Sequence, residues 1–176
     1  MTDLNFLSLL EQMQQPEFYP HLVREPVKLI QTHASAVFLT GDYAYKLKKP
    51  VNFGFLDYST LAKREYFLNQ ELQLNQPVAP DIYLEVLPIV QAESGNQSIL
   101  GGAGKPIEFV LKMNQFPEEN LLINLFSAGK LTETNFIDLG KVIAKFHEQA
   151  KTDSYIQGFG SIDKIKKTID EIRISN

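Results

Sequence analysis

Apolar positions along this chain switch between two periods. Over residues 3–14, Leu4, Phe6, Leu7, Leu9, Leu10 and Met13 recur at the spacing of one helical face. Pro16 and Pro20 end that helix, which is expected to pack as a short surface element on a sheet. The pattern then becomes strand-like. Pro26–Thr32 reads as a first strand, Thr32–Ser35 as a polar break, and Ala36–Leu39 as a second strand rich in β-formers. Thr40-Gly41-Asp42 supplies hairpin-turn residues, Tyr43–Lys48 is a third strand, and Pro50 stops it. Alternation puts Ala44, Lys46 and Lys48 on one face and Tyr43, Tyr45 and Leu47 on the other. The aromatic face is expected to lie on protein, and the Ala/Lys face to line something polar or open.

Ser59 is a suitable N-cap for a helix reaching about Asn75. With Leu61 at the origin, Leu68 falls at about 340°, Leu72 at about 20°, Phe67 at about 240° and Leu74 at about 220°. The apolar stripe is then centred at about 300°, with Glu71 inside it at about 280° and Glu65 at its edge at about 40°. A carboxylate in such a stripe needs a cation, because an unpaired buried charge is costly. Lys46 on the neighbouring strand is the expected partner. The competing reading is a Glu half in water on a wide polar face.

Asp81–Ile89 and Ile107–Met113 read as the fourth and fifth strands, and Gln91–Lys105 as a turn-rich excursion between them. Its Gly-Gly-Ala-Gly-Lys tail lacks the spacing of a phosphate-binding P-loop and runs into Pro106 and a strand, not into a helix. Helical periodicity then takes over. Glu118–Ala128 is one helix, and Thr132 or Thr134 caps the next, with Phe136, Ile137, Leu139, Val142, Ile143 and Phe146 on its face and His147 at its end. Past the polar Gly158-Phe159-Gly160, Ile162, Ile165, Ile169 and Ile172 suggest one more amphipathic helix. The expected class is α+β: a five-stranded antiparallel sheet with one main packing helix, followed by helices.

Composition narrows the field of functions. A length of 176 residues is about one domain's worth and enough for a sizeable core, and a formal charge of −4 argues against general nucleic-acid binding. The absence of cysteine excludes disulfides and thiolate metal sites and fits a reducing cytoplasm. The N-terminus has no basic stretch followed by an apolar run, and no segment approaches the roughly 20 apolar residues needed to span a bilayer. A cytoplasmic protein that engages neither membrane nor nucleic acid is expected.

Three ordered stretches, Thr32–Leu61, Glu71–Tyr83 and Glu108–Pro117, resemble a bacterial family of aminoglycoside-phosphotransferase-like proteins with a protein-kinase-like fold, often fused to a C-terminal P-loop ATPase domain. The resemblance covers the chain from about Pro26 onward. It implies a kinase-like N-terminal lobe over residues 1–116 and the first helices of a helical C-terminal lobe over 117–176. In that frame Ala44-Tyr45-Lys46 resembles the Ala-x-Lys of the kinase third strand. Lys46 would bind the α- and β-phosphates of ATP, Glu71 would orient it, and Ala44 with Val37 would roof the adenine. Thr32 and Ser35 would flank a glycine-free counterpart of the phosphate loop. Met113, Asn114 and Gln115 would form the inter-lobe hinge that holds the base. Lys48 and Lys49 are read as solvated or as marginal phosphate contacts.

The resemblance also implies a catalytic Asp on a His-Gly-Asp-type loop and a later Mg²⁺-binding Asp. Neither motif occurs up to Asn176, so no catalytic or metal residue is assigned in this chain, and a truncated gene product, a deliberate fragment or one piece of a larger enzyme is expected. ATP is the implied ligand, and a missing lobe or a partner chain is expected to cover the apolar helical faces. Two other readings compete: a non-catalytic module on a kinase-like scaffold, and an unrelated α+β domain with solvated lysines.

Overall fold

The computed structural model describes residues 3–92 and 97–174. Three strands follow one another as an antiparallel meander: β1 (Lys28–Gln31), β2 (Ser35–Leu39) and β3 (Tyr43–Lys48). The β2–β3 hairpin turns at Gly41, whose φ of 95° is the left-handed conformation glycine adopts without strain. Further along come β4 (Tyr83–Gln91), β5 (Ser98–Leu100) and β6 (Pro106–Asn114). Among the described residues these six strands form one antiparallel sheet in the order β1-β2-β3-β6-β4-β5. The expected α+β class with an antiparallel sheet is found; the count of five strands is not. The sixth, β5, has three residues and lies inside the glycine-rich excursion, too short to show a period. Residues 93–96 of that excursion lie outside the described residues.

Each sheet face has its own helix. The first, α1 (Asp3–Met13), packs Phe6, Leu9, Leu10 and Met13 against Ala36, Phe38, Tyr45, Leu47, Ile89 and Val110. Tyr45 is fully buried there, its ring 4.9 Å from that of Tyr19. The second, α2 (Leu61–Asn75), lies on the opposite face, where Leu68 and Leu111 are fully buried. Its N-cap is Thr60, whose hydroxyl accepts from Lys63 N at 3.3 Å, and not the expected Ser59. Asp57 accounts for the difference: its carboxylate accepts from both the amide (3.0 Å) and the hydroxyl (2.5 Å) of Ser59, which takes Ser59 out of the capping position. Phe67 and Leu74, counted in the apolar stripe, are 37% and 61% exposed. The face that meets the sheet instead carries Arg64, Leu68 and Glu71.

Contacts divide the chain into two units: one runs up to Asn52 and from Leu56 to Phe116, the other comprises Phe53–Phe55 and Pro117–Asn176. In the second unit the expected single helix over Glu118–Ala128 is a short 3-10 turn (Glu118–Asn120) followed by α3 (Leu122–Ser127). α4 (Glu133–Gln149) is capped by Thr132 and Asn135, each side chain accepting from the other's backbone amide. The last expected helix is α6 (Ile162–Ile174); ahead of it, in the stretch read as polar, lies a short helix that was not expected, α5 (Ser154–Phe159), capped by Asp153. Phe136, Ile137, Val142, Ile143 and Phe146 of α4 are exposed. No helix among the described residues is long and apolar enough to cross a membrane.

Candidate functional site

β3 is an inner strand, paired with β2 on one side and β6 on the other, so its side chains are held from both edges. Its Ala/Lys face meets α2. Lys46 Nζ donates to Glu71 Oε1 at 2.6 Å, and Lys48 Nζ donates to Glu71 Oε2 at 3.0 Å. The carboxylate in the helix stripe is therefore held by two ammonium groups. Lys48, expected to be solvated, has a side chain only 5% exposed, against 27% for Lys46. Burial of a lysine two positions beyond Lys46 has a local cause. Lys48 Nζ also donates to Tyr58 Oη at 3.2 Å and lies 4.5 Å from the Tyr58 ring centroid, so an acceptor and a π-face replace the lost water.

Burial alone pushes the Glu71 carboxyl up, but the hydrogen bonds and charges of Lys46 and Lys48 outweigh it and hold the group below its ordinary value. Burial, with the Glu71 charge second, pushes the Tyr83 phenol up. The triad carries two positive charges and one negative, so it favours a further anion. It does not suit a divalent cation, because both oxygens of its carboxylate already face ammonium groups.

The other expected site residues fall on the same sheet. Val37 is the register partner of Lys46, and Ala44, which is buried, pairs with Leu39 and Met113. Met113 and Asn114 are the last residues of β6, opposite Ala44 and Tyr43. Asn114 N donates to Ile82 O at 2.8 Å, and Gln115 N to Asp42 O at 3.0 Å. The Asn114 and Gln115 amides are thus engaged within the unit. Thr32 and Ser35 close the β1–β2 turn on itself. Thr32 N donates to Ser35 O at 2.9 Å, and Ser35 N to Thr32 Oγ1 at 3.0 Å. Lys49 is half-buried, and its amide donates to Ala34 O at 2.9 Å. His147 lies in the last turn of α4 and is exposed.

A second charged pair was missed by the sequence reading. Arg64 Nε donates to both oxygens of Glu108 (3.0 and 2.9 Å), Arg64 Nη2 lies 2.8 Å from Glu108 Oε2, and Nη1 donates to the Tyr58 carbonyl at 2.9 Å. Phe109 N donates to the same carboxylate at 3.1 Å. Both side chains are buried. By alternation Glu108 shares the face of Val110, the α1 face, while Arg64 comes from α2 on the other. The β3–β6 ladder ends at the Leu47–Val110 pair, so Arg64 crosses to Glu108 beyond the end of β3. There it lines a polar cleft with Asn5, Ser8 and Gln12 of α1. The signal was present: on the same wheel Arg64 falls at about 300°, the centre of the stripe.

Comparison with known proteins adds distant relatives only. The chain is similar to an uncharacterized protein of Mycobacterium tuberculosis and to one of Mycobacterium bovis, each 28% identical over 137 residues. These matches cover 78% of this chain and 26% of each relative, so the chain spans about a quarter of their length. No family model matches the chain, and no solved structure matches it significantly.

Proposed function

We propose that this chain is the ATP-binding portion of an aminoglycoside-phosphotransferase-like small-molecule kinase, and that the whole protein transfers a phosphoryl group from ATP to a hydroxyl. The observation that carries the reading is the 2.6 Å contact between Lys46 on an inner strand and Glu71 on the helix covering that face. A strand lysine fixed by a helix glutamate is the arrangement that positions ATP phosphates in protein kinases. In this reading Lys46 meets the α- and β-phosphates, and Ala44 and Val37 contact the base. Thr32 and Ser35 would have to open their turn to reach phosphate. Met113, Asn114 and Gln115 border the base from the end of β6. The acceptor-activating base and the metal ligands are assigned to parts of the protein outside residues 1–176.

Titration of Mg-ATP against the chain, read by thermal shift and calorimetry, tests the proposal. Ligand at 100 times Kd should stabilise the wild type by about 2.7 kcal/mol, and K46M should lose that gain. No stabilisation at millimolar ATP would overturn the reading.

A second reading, a non-catalytic interaction module, is favoured by the exposed apolar side chains Phe136, Ile137, Val142, Ile143 and Phe146 on α4. A missing lobe or a partner chain would cover them. A monodisperse monomer at high micromolar concentration, by light scattering, would argue against it.

A further inference from the structure

Apart from the Lys46–Glu71 pair, the unit that holds the sheet has a second concavity, the polar cleft of about 480 Å³ that Arg64 lines. That volume falls within the range of small-molecule sites, about 300–1,000 Å³. None of its lining residues is among those assigned to ATP. α1 supplies Asn5, Ser8 and Gln12, and the start of β5 supplies Gln97 and Ser98. The two sides are tied together: Ser98 N donates to Gln12 Oε1 at 2.8 Å, and Gln12 Nε2 to Ser8 Oγ at 3.4 Å. Leu9, Leu61 and Ile107 add aliphatic surface.

Among the described residues, Arg64 is the one charged side chain in this lining, and Glu108 already matches its charge. A guanidinium offers more N–H donors than these contacts use. Nε and one N–H of Nη2 go to Glu108, and one N–H of Nη1 goes to the Tyr58 carbonyl. One N–H on each of Nη1 and Nη2 is left without an acceptor among the described residues, on a side chain that is 2% exposed. Buried donors are nearly always paired, so an acceptor in the cleft would complete the group. We propose that this cleft binds a neutral, hydroxyl-rich small molecule of the chemical class of mono- and disaccharides. The inference goes beyond the phosphate-binding reading and does not depend on it.

Charge selects the class. The cluster of Lys46, Lys48 and Glu71 has a positive charge to spare, but the Arg64–Glu108 pair has none. A cationic ligand would meet the guanidinium, and an anionic one would approach the Glu108 carboxylate bound to it, each in a poorly solvated place where like charges repel strongly. A neutral ligand carries neither cost, and its oxygens accept the spare N–H groups. Serine hydroxyls and carboxamides both donate and accept, which matches sugar hydroxyls that do the same. The aliphatic side chains suit the C–H faces of a sugar ring. No aromatic side chain lines the cleft among the described residues, so it lacks the stacking platform a nucleobase uses.

Saturation-transfer NMR on the full chain tests the proposal with a series that changes charge on one sugar ring: glucose, glucuronate and the glucosamine cation, with maltose as a larger neutral probe. Glucose or maltose should bind with a Kd of about 1–10 mM, and the two charged analogues about tenfold more weakly. In nitrogen-15 spectra the neutral sugar should shift the amides of Ser8, Gln97 and Ser98. S8Y places a ring in the cleft from an exposed position of α1, and should abolish the signal while its circular dichroism spectrum stays that of wild type. If S8Y does not fold, N5A and Q97A, both at exposed positions, decide the matter: each should weaken binding about threefold. Absence of saturation transfer from both neutral sugars would overturn the proposal. So would folded S8Y binding as wild type does, N5A and Q97A both binding undiminished, or glucuronate or glucosamine binding as tightly as glucose.

Discussion

Replacing Arg64 by Met removes the cation from a carboxylate that has no exposure to water, and the cost can be worked from the site. Glu108 keeps the Phe109 amide but loses all three close contacts with the guanidinium. Its cheapest escape is to take up a proton. For a carboxyl with an ordinary value of 4.5, protonation at pH 7 costs about 3.4 kcal/mol, which caps the charge part of the loss. The stranded Tyr58 carbonyl adds about 1 kcal/mol. R64M should therefore lose about 4 kcal/mol at pH 7, within the range for breaking a buried ion pair. At pH 5 protonation costs about 0.7 kcal/mol, so the loss should shrink to about 2 kcal/mol. The sign follows from linkage: burial already pushes Glu108 up in the wild type, and removing Arg64 pushes it further. A group raised on folding contributes stability below its unfolded value and loses it as pH rises through the folded one. Urea unfolding followed by circular dichroism at the two pH values measures the difference. Equal losses at both, or a loss under about 1 kcal/mol at pH 7, would refute the reasoning. The double variant R64M/E108L removes both charges and should recover most of the loss.

Two further outcomes are expected. Glu71 is held below its ordinary value in the folded chain, so its contribution is present above about pH 4.5 and lost as pH falls through the lower folded value. E71Q should accordingly be less stable than wild type by about 2 kcal/mol at neutral pH, the gap closing at the acid end; urea midpoints across pH read it, and a pH-independent gap would contradict the assignment. A Cβ on Gly102 would sit 2.8 Å from Val90 Cγ2 and 3.2 Å from Ile99 Cγ2, both on stiff β-branched side chains. G102A should cost about 1–3 kcal/mol, checked by its thermal midpoint, and a midpoint equal to wild type would show that β5 yields freely.

Much of this fold is legible in the order of residues, for reasons that differ by element. The β2–β3 hairpin announces itself because Gly41 supplies a left-handed turn between two alternating runs. α1 shows as a helix because its buried face is wholly apolar. Glu71 can be found because a carboxylate inside an apolar stripe needs a partner, and it has one in Lys46. The same argument applied to Arg64 would have found a second pair, but an arginine's long stem makes it easy to read as a surface residue. Its partner lies 44 positions away on a strand whose own pattern looks ordinary, so spacing cannot supply it. Lys48 was misjudged because its shelter comes from Tyr58, in an irregular segment that carries no period. β5 escaped because three residues cannot show alternation.

The crossing of Arg64 past the end of β3 also fixes an order of events on the ribosome. Lys46, Lys48 and Glu71 are delivered close together, so their cluster can assemble while the chain is still being made. Arg64 emerges with them yet has no counter-ion until residue 108 follows, and β3 stays an open edge until β6 arrives beside it. Pairings of such long separation form after the local ones, because loop closure costs entropy before any contact repays it. A nascent chain halted before β6 therefore carries an Arg64 without its counter-ion and an unpaired strand, the kind of edge chaperones have to shield.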